Sequence, residues 1–223
     1  MKLRVLGSGS SGNCYILESD TEALIIETGV PFKDAKVALG FNVRKIVGAI
    51  AGHCHKDHSG FIDQYKGVCP IYKPYEVNKP YERFGNFFVK AFTLVHDAEC
   101  YGFYIEHPDI GKMVYASDTE YIKYRFKNIN HILVESNYSD DLIDNEAVNR
   151  EHVLRGHMSL KTALDFISAN DNPALRNVVL LHLSDKNSDS EQFLQKTKET
   201  VKYGADCYIA EKGLEVDLSL CPF

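Results

Sequence analysis

Six consecutive residues, His53-Cys54-His55-Lys56-Asp57-His58, constrain this chain more than any other stretch. They set three imidazoles and a carboxylate within six positions. One helix face cannot present them together, because residues one or two apart point in different directions. A short loop at the end of a strand can. His and Asp in this mixture suit Zn²⁺ or a related first-row ion, singly or as a pair. Two ions served by one loop and sharing a hydroxide would make a hydrolase. A lone surface His or an Asp-His turn would mean little, but a donor cluster this dense marks a site.

The chain has 223 residues, which predicts a single domain over 1–223 with room for a sizeable core. No apolar run approaches the ~20 residues needed to span a bilayer, so no membrane span is expected. Met1–Leu6 passes straight into a strand pattern with no apolar stretch behind its basic residues, which reads as no signal peptide. Cys14, Cys54, Cys69, Cys100, Cys207 and Cys221 form no C-x-x-C pair, so free thiols in a reducing cytoplasm are expected. Alternation along the loop points Cys54 away from any metal and makes it a small packing residue. The net charge of −6 argues against tight, nonspecific coating of nucleic acid. It does not exclude a nucleic-acid substrate, because two bound divalent cations supply positive charge where phosphates would sit. Nothing in the sequence implies an obligate protein partner.

Strands are predicted at Leu3–Leu6, Cys14–Leu17, Ala23–Gly29, Ile46–Ala51, Phe87–Val95, Tyr101–Glu106, Lys112–Ala116, His131–Glu135, Asn177–Leu181, Asp206–Ile209 and Leu214–Leu218. A short helix is predicted over Ser59–Tyr65, and longer ones over Ser159–Ala169 and Ser190–Tyr203, capped by Ser159 and by Asp189 or Ser190. This order suits two sheets covered by helices.

Several of these strands deliver a candidate ligand at or just past their ends. Ile46–Ala51 leads to His53, Phe87–Val95 to His96, Lys112–Ala116 to Asp118, and Asn177–Leu181 to His182. Rigid strand ends hold ligands accurately. One ion would then take His53, His55 and His96, and the other Asp57, His58 and His182. Asp118, with two oxygens, suits a bridge between them. Taken alone, His96 or His182 would read as a core histidine. His107, His131 and His152 fall outside the pattern and read as surface or structural.

The motif His-x-His-x-Asp-His, then a lone His, a lone Asp and a late His, resembles the metallo-β-lactamase superfamily over nearly the whole chain. The resemblance implies an α/β fold, a four-layer αββα sandwich with the metals at one edge of the two sheets. Within it, Leu6-Gly7-Ser8-Gly9-Ser10-Ser11-Gly12-Asn13-Cys14-Tyr15, Tyr115-Ala116-Ser117-Asp118-Thr119, Glu135-Ser136-Asn137-Tyr138, Gly156-His157-Met158-Ser159 and Leu181-His182-Leu183-Ser184-Asp185-Lys186-Asn187 resemble the YycJ/WalJ-like group of small bacterial metal-dependent nucleases. That group is associated with 5′-to-3′ exonuclease activity on DNA. The resemblance implies a dinuclear hydrolase of phosphodiesters, exonuclease-like, with Asp57, Asp118 and His157 as candidate catalytic residues.

His157 precedes the Ser159 helix, whose free N–H groups and dipole favour an anion. It could donate to a phosphate oxygen or steady the leaving group; it could also simply pack at the helix start. Glu135 and Asn137 suit either support of a ligand His or a polar strand end. Residues Ser8–Asn13 could cradle a phosphate with backbone N–H groups or form a Gly-permitted turn. Tyrosines over Tyr72–Tyr81 could stack on bases but fit ordinary core and surface positions better. Two departures from the superfamily stand out: Glu27 in place of its usual Asp, and Gly52 in place of its common Thr. The chain also lacks room for the inserted cap domain of the RNA-processing nucleases or the tRNA-gripping arm of ribonuclease Z. Zn²⁺ suits the donors best, with Mn²⁺ or Fe as alternatives. Two other functions fit the same residues: hydrolysis of a small ester, lactone, thioester or lactam, and a non-catalytic, metal-stabilised module that binds nucleic acid.

Overall fold

Alternating apolar residues in the first strand, Leu3 and Val5, both buried, set the inner face of a sheet. The computed structural model describes residues 1–143 and 154–220. The first sheet contains β1 (Lys2–Gly7), β2 (Cys14–Glu18), β3 (Ala23–Ile26), β4 (Ile46–Ile50), β5 (Ile71–Tyr72) and β13 (Glu215–Asp217), in the order β13-β1-β2-β3-β4-β5. The second contains β6 (Tyr81–Phe84), β7 (Phe87–Thr93), β8 (Tyr101–His107), β9 (Gly111–Ala116), β10 (His131–Glu135), β11 (Asn177–Leu181) and β12 (Asp206–Ile209), in the order β12-β11-β10-β9-β8-β7-β6. Strands β3 to β5 run parallel, as do β9 to β12.

The sheets face each other across one core that includes Leu17, Ile26, Phe103, Leu133 and Leu181. Helices α3 (Leu160–Asn170) and α4 (Ser190–Thr200) cover the outside of the second sheet through Ala163, Ile167 and Phe193. Helix α1 (Phe32–Ala38) covers the first through Ala35, beside Ile16, Ile25 and Tyr65. The layers are therefore αββα, the metallo-beta-lactamase fold. Strands β10 and β11 are buried at every position, which is why their sequences are nearly continuous apolar runs. Each large side chain so buried contributes about 1.5–3 kcal/mol. Among the described residues, no helix is long and apolar enough to cross a membrane.

Some elements differ from the sequence-based expectation. The helix expected over Ser59–Tyr65 is instead α2 (Lys56–Ser59) followed by a 3₁₀ turn at Ile62–Gln64. Phe61 breaks the run because its N–H donates to the Thr28 carbonyl at 3.0 Å rather than to a helical one. The strand expected to reach Gly29 stops at Ile26, because Glu27 turns to a positive φ of 62°. Helix α4 ends at Thr200, followed by extended Val201. Both expected caps are present: Ser159 Oγ accepts from Thr162 N at 3.2 Å and Asp189 Oδ1 from Gln192 N at 3.0 Å.

His107 and His131 are buried, so of the two readings the structural one applies. His107 Nε2 lies 3.0 Å from Glu22 Oε1, and His131 Nδ1 lies 3.0 Å from Asn177 Nδ2. His152 and Cys221 lie outside the described residues. Cys54 is exposed, so it is not a packing residue; its neighbour His53 is buried.

Candidate metal centre

Carboxyl ends of parallel strands from both sheets meet at one edge of the sandwich. Glu27 follows β3, Gly52-His53 follows β4, Asp118 follows β9, Glu135 ends β10 and His182 follows β11. Open α/β sheets commonly bind ligands at such strand ends. Glu27, Asp118 and His182 hold positive φ values of 62°, 55° and 54°. Non-glycine residues adopt this conformation at a cost of about 1–2 kcal/mol each, so surrounding contacts must impose it.

The structure brings all seven candidate ligands together in two sets. Ligand atoms of His53, His55 and His96 lie within 4.8 Å of one another, as do those of Asp57, His58, Asp118 and His182. Asp118 touches both: its Oδ2 is 3.1 Å from His53 Nε2 and 2.7 Å from His58 Nε2, and its Oδ1 is 3.0 Å from His182 Nδ1. His53, His58, Asp118 and His182 are buried, whereas His55 is 38% and Asp57 22% exposed, so the centre opens on their side.

This donor set fits divalent cations. His53 Nε2, His58 Nδ1 and His182 Nε2 are buried at its centre without a well-directed hydrogen bond, three such atoms in one place among the few that the described residues leave unsatisfied. Their surroundings also attract positive charge. Burial disfavours the charged form of His182, but Asp118, Asp57 and Glu135 outweigh it and push the imidazole up to about 10. Burial likewise opposes charge on His58, and Asp118 and Glu27 raise it well above the usual range. Burial also opposes ionisation of Asp57 and Asp118. Contacts with His182 and His58 hold the first well below the carboxylate range, and the charges of His58 and His182 do the same for the second. Metal ligation would put cations where the metal-free protein collects protons.

Supporting residues fix these groups. Glu135, fully buried, has Oε1 3.0 Å from His182 Nδ1 and 2.6 Å from His157 Nδ1, and its Oε2 accepts from Thr119 N at 2.9 Å. Asn137 Nδ2 donates to the His182 carbonyl at 2.8 Å. Glu27 accepts from Gly52 N at 3.1 Å and lies 3.5 Å from His58 Nδ1. Gly52 makes room for that longer carboxylate: a Cβ there would sit 3.2 Å from Glu27 Oε1 and 2.4 Å from the Tyr101 carbonyl. Gly29 is needed for close approach too, since its Cβ would fall 1.7 Å from the Asp57 carbonyl.

At two anion sites suggested by the sequence, several of the N–H groups are already used within the fold. At the start of α3, Leu160 N donates to the Tyr138 carbonyl at 2.7 Å and Thr162 N is capped by Ser159. In the Ser8–Asn13 loop, Gly9 N donates to Asn13 Oδ1, Gly12 N to the Gly9 carbonyl and Asn13 N to the Asp57 carbonyl. The loop is a turn that braces the centre: Ser8 Oγ accepts from His182 N at 2.9 Å and Asn13 Nδ2 lies 2.8 Å from His58 Nε2. Sequence reasoning missed Asn13, for which only its place at the end of the Gly-Ser loop was a signal. It also missed Asp97, whose Oδ1 is 3.0 Å from His96 Nε2. His157 is half-buried at the rim, with Nδ1 3.7 Å from Asp118 Oδ1. The tyrosines of the 72–81 stretch follow the ordinary reading: Tyr72 is buried with its hydroxyl on the Lys79 carbonyl, and Tyr81 lies exposed on β6.

Fold and donor set together define a metal-binding hydrolase architecture. The family model of the metallo-beta-lactamase superfamily matches residues 7–145, and the chain belongs to that superfamily of metal-dependent hydrolases. It is similar to the exodeoxyribonuclease YycJ of Bacillus anthracis, 25% identical over 62% of this chain, and spans 64% of that relative's length. It is also similar to the exodeoxyribonuclease WalJ of Streptococcus pneumoniae, 23% identical over 85% of this chain and 84% of the relative. Among solved structures, the metallo-beta-lactamase fold protein YhfI of Bacillus subtilis superposes with a TM-score of 0.75 at 17% identity, over 96% of this chain and 98% of that one.

Proposed function

We propose that the chain is a dinuclear metal-dependent phosphodiesterase acting on nucleic acid, exonuclease-like, with DNA the favoured substrate. One observation carries the reading: His157 is gripped by Glu135 at 2.6 Å on the rim of the two donor sets, where a leaving group would depart. The exodeoxyribonuclease names of the distant relatives support it.

His53, His55 and His96 would hold one ion, Asp57, His58 and His182 the second, and Asp118 both. When bound, the ions, Zn²⁺ by donor type or else Mn²⁺ or Fe, supply Lewis acidity toward phosphoryl oxygens and an acidified water. Asp118 aligns the two donor sets through its contacts to His53, His58 and His182. Glu135 fixes the tautomer of both His157 and His182. It also favours the protonated form of His157: burial opposes that charge, and the Glu135 carboxylate raises it above the ordinary value. His157 is thereby suited to protonate the departing oxygen. The solvent-open side at His55 and Asp57 admits the strand. A reducing, cytoplasmic setting belongs to the same proposal, in keeping with the free cysteines among the described residues.

The test is hydrolysis by metal-stripped protein, then by protein reconstituted with Mn²⁺ or Zn²⁺. Substrates are end-labelled single- and double-stranded DNA and RNA beside a chromogenic lactam. Metal-dependent cleavage of a nucleic acid, lost in His182→Ala, is the expected result. Turnover of the lactam alone would move the function to small acyl compounds, and turnover of nothing with retained DNA binding would make the chain a binding module.

A further inference from the structure

A cavity of about 620 Å³ opens beside the candidate metal centre, with Phe92, Tyr101, Tyr104, Tyr124 and Phe126 on its wall. One wall is the β5–β6 connection, with Pro74, Val77 and Pro80, and three others are the stems that carry the ligands. Thr93, on the wall, ends β7 three residues before His96, so the backbones of the two are at most roughly 11 Å apart. Tyr101 of β8 donates its backbone N–H at 3.0 Å to the carbonyl of Gly52, the residue before His53. The third stem is the irregular segment that leaves Asp118. Its root is pinned by Glu120 N on the Val95 carbonyl at 3.0 Å, and its middle by the Tyr124 hydroxyl, 3.0 Å from Thr93 Oγ1.

That segment alternates. Ile122, Tyr124 and Phe126 are half-buried, whereas Lys123, Arg125 and Lys127 are exposed. Phe126 stacks on Tyr104 with ring centroids 6.1 Å apart and planes 8° apart, and Phe92 meets Tyr124 edge-on at 5.5 Å. Lys123 Nζ lies 5.2 Å over the Tyr124 ring. Arg125, Lys127 and the wall residue Lys90 make no ion pair among the described residues, in a chain whose net charge is −6. Lys90 lines the cavity, and Lys123, Arg125 and Lys127 stand on the exposed side of the segment whose Tyr124 and Phe126 form its wall; an aromatic cavity beside such cations matches a planar base carried on a polyanionic strand, the pairing by which proteins hold single-stranded nucleic acid. The volume lies within the range of small-ligand pockets, about 300–1,000 Å³.

We propose that this cavity is a nucleobase subsite: it takes the base of a nucleotide neighbouring the scissile phosphate, while Lys90, Lys123, Arg125 and Lys127 hold the adjoining phosphates of a single strand. The proposal deepens the nuclease reading and rests on it for the identity of the ligand. Stacking on a ring is tolerant of sequence, so the subsite sets register and strandedness rather than base preference.

The experiment is binding of a phosphorothioate oligothymidylate, labelled at its 3′ end, to the metal-loaded protein by fluorescence anisotropy, with cleavage of the ordinary phosphodiester strand measured in parallel. Tyr124→Ala is expected to weaken binding about tenfold, the scale of one lost stacking contact. Tyr124→Phe keeps the ring, loses the hydroxyl contact to Thr93 and is expected to bind as the wild type does. The triple variant Lys123→Gln, Arg125→Gln, Lys127→Gln changes only exposed side chains. It should flatten the slope of log Kd against log salt by about 2, from three phosphate contacts at ~0.7 each. An abasic strand of equal length should bind the wild type as weakly as thymidylate binds Tyr124→Ala. Wild-type affinity and salt slope in both Tyr124→Ala and the triple variant would overturn the subsite, as would a wild type that binds no strand. If the wild type cleaves strands and the variants do so with unchanged KM, the nuclease reading stands and the subsite falls. If binding is lost in the variants but no strand is cut under any divalent metal, the subsite stands and the nuclease reading falls.

Discussion

Shortening Glu27 by one methylene tests how the centre is held. Its carboxylate is 1% exposed, accepts from Gly52 N at 3.1 Å and lies 3.5 Å from His58 Nδ1. Glu27→Asp withdraws the oxygens by about 1.5 Å, one C–C bond. The contact to Gly52 then opens to roughly 4.5 Å, beyond hydrogen-bonding range. An orphaned buried N–H costs about 1–3 kcal/mol, and in a protein of this size 2 kcal/mol lowers Tm by roughly 4–8 °C. Loss of the carboxylate behind His58 should also weaken metal binding about 10- to 100-fold, as usual for groups that orient a ligand His. Thermal unfolding of the metal-free protein reads the first effect, and competition with a chelator for Zn²⁺ reads the second. Unchanged Tm and unchanged metal affinity would refute the reasoning. The companion change Gly52→Ala should destabilise the protein even when combined with Glu27→Asp, because the Tyr101 carbonyl, 2.4 Å from the new Cβ, is backbone and cannot swing away.

Other expectations are as specific. His157→Ala should keep its metal content while diester turnover falls about 10²- to 10⁴-fold, the range for loss of a general acid; turnover within a few-fold of wild type would remove His157 from the chemistry. Asp118→Ala should lose both metal, read by elemental analysis, and hydrolysis; retention of both in full would rule out its bridging role. His131 gives a pH signature away from the centre. Burial, with a smaller push from Arg176, lowers its imidazole to about 4 against the opposing effect of Asp217 and nearby carbonyls. The unfolded chain therefore takes up this proton first, so its contribution to stability is intact above about pH 6.5 and declines as pH falls toward 4. Between pH 7 and pH 5 the loss should be about 2 kcal/mol, measured by urea unfolding. His131→Gln should lack that slope, and identical slopes in the two proteins would contradict it.

The ligand set was legible because a strand end is a linear signal. A short apolar run followed within a few residues by His or Asp needs no partner strand to be recognised, and His53, His96, Asp118 and His182 all follow that rule. The alternating and continuous apolar runs likewise revealed the two sheets and, with α3 and α4, the covering layer. What stayed hidden depends on residues distant in the chain. The Asn13 N–H at the end of the Ser8–Asn13 loop is taken by the carbonyl of Asp57, more than forty positions away. The helix expected after Asp57 is cut short by the carbonyl of Thr28. The stretch from Tyr121 to Lys127 pairs with no strand, so its alternation acquires meaning only where Phe92 and Tyr104 face it.

His53, His55, Asp57 and His58 hang from the first sheet, and His96, Asp118 and His182 from the second. Ions seated between them would rivet one layer to the other, one closing the loop from His53 to His96 and the other the much longer loop from His58 to His182. A covalent cross-link over such a span is worth about 4–5 kcal/mol in the chain-entropy model. With the rivet in place the layers cannot separate until an ion escapes, so the lifetime of the loaded protein becomes a matter of metal loss rather than of equilibrium stability. Metal starvation would then thin out the protein itself, through proteolysis of opened chains, as well as silencing its chemistry.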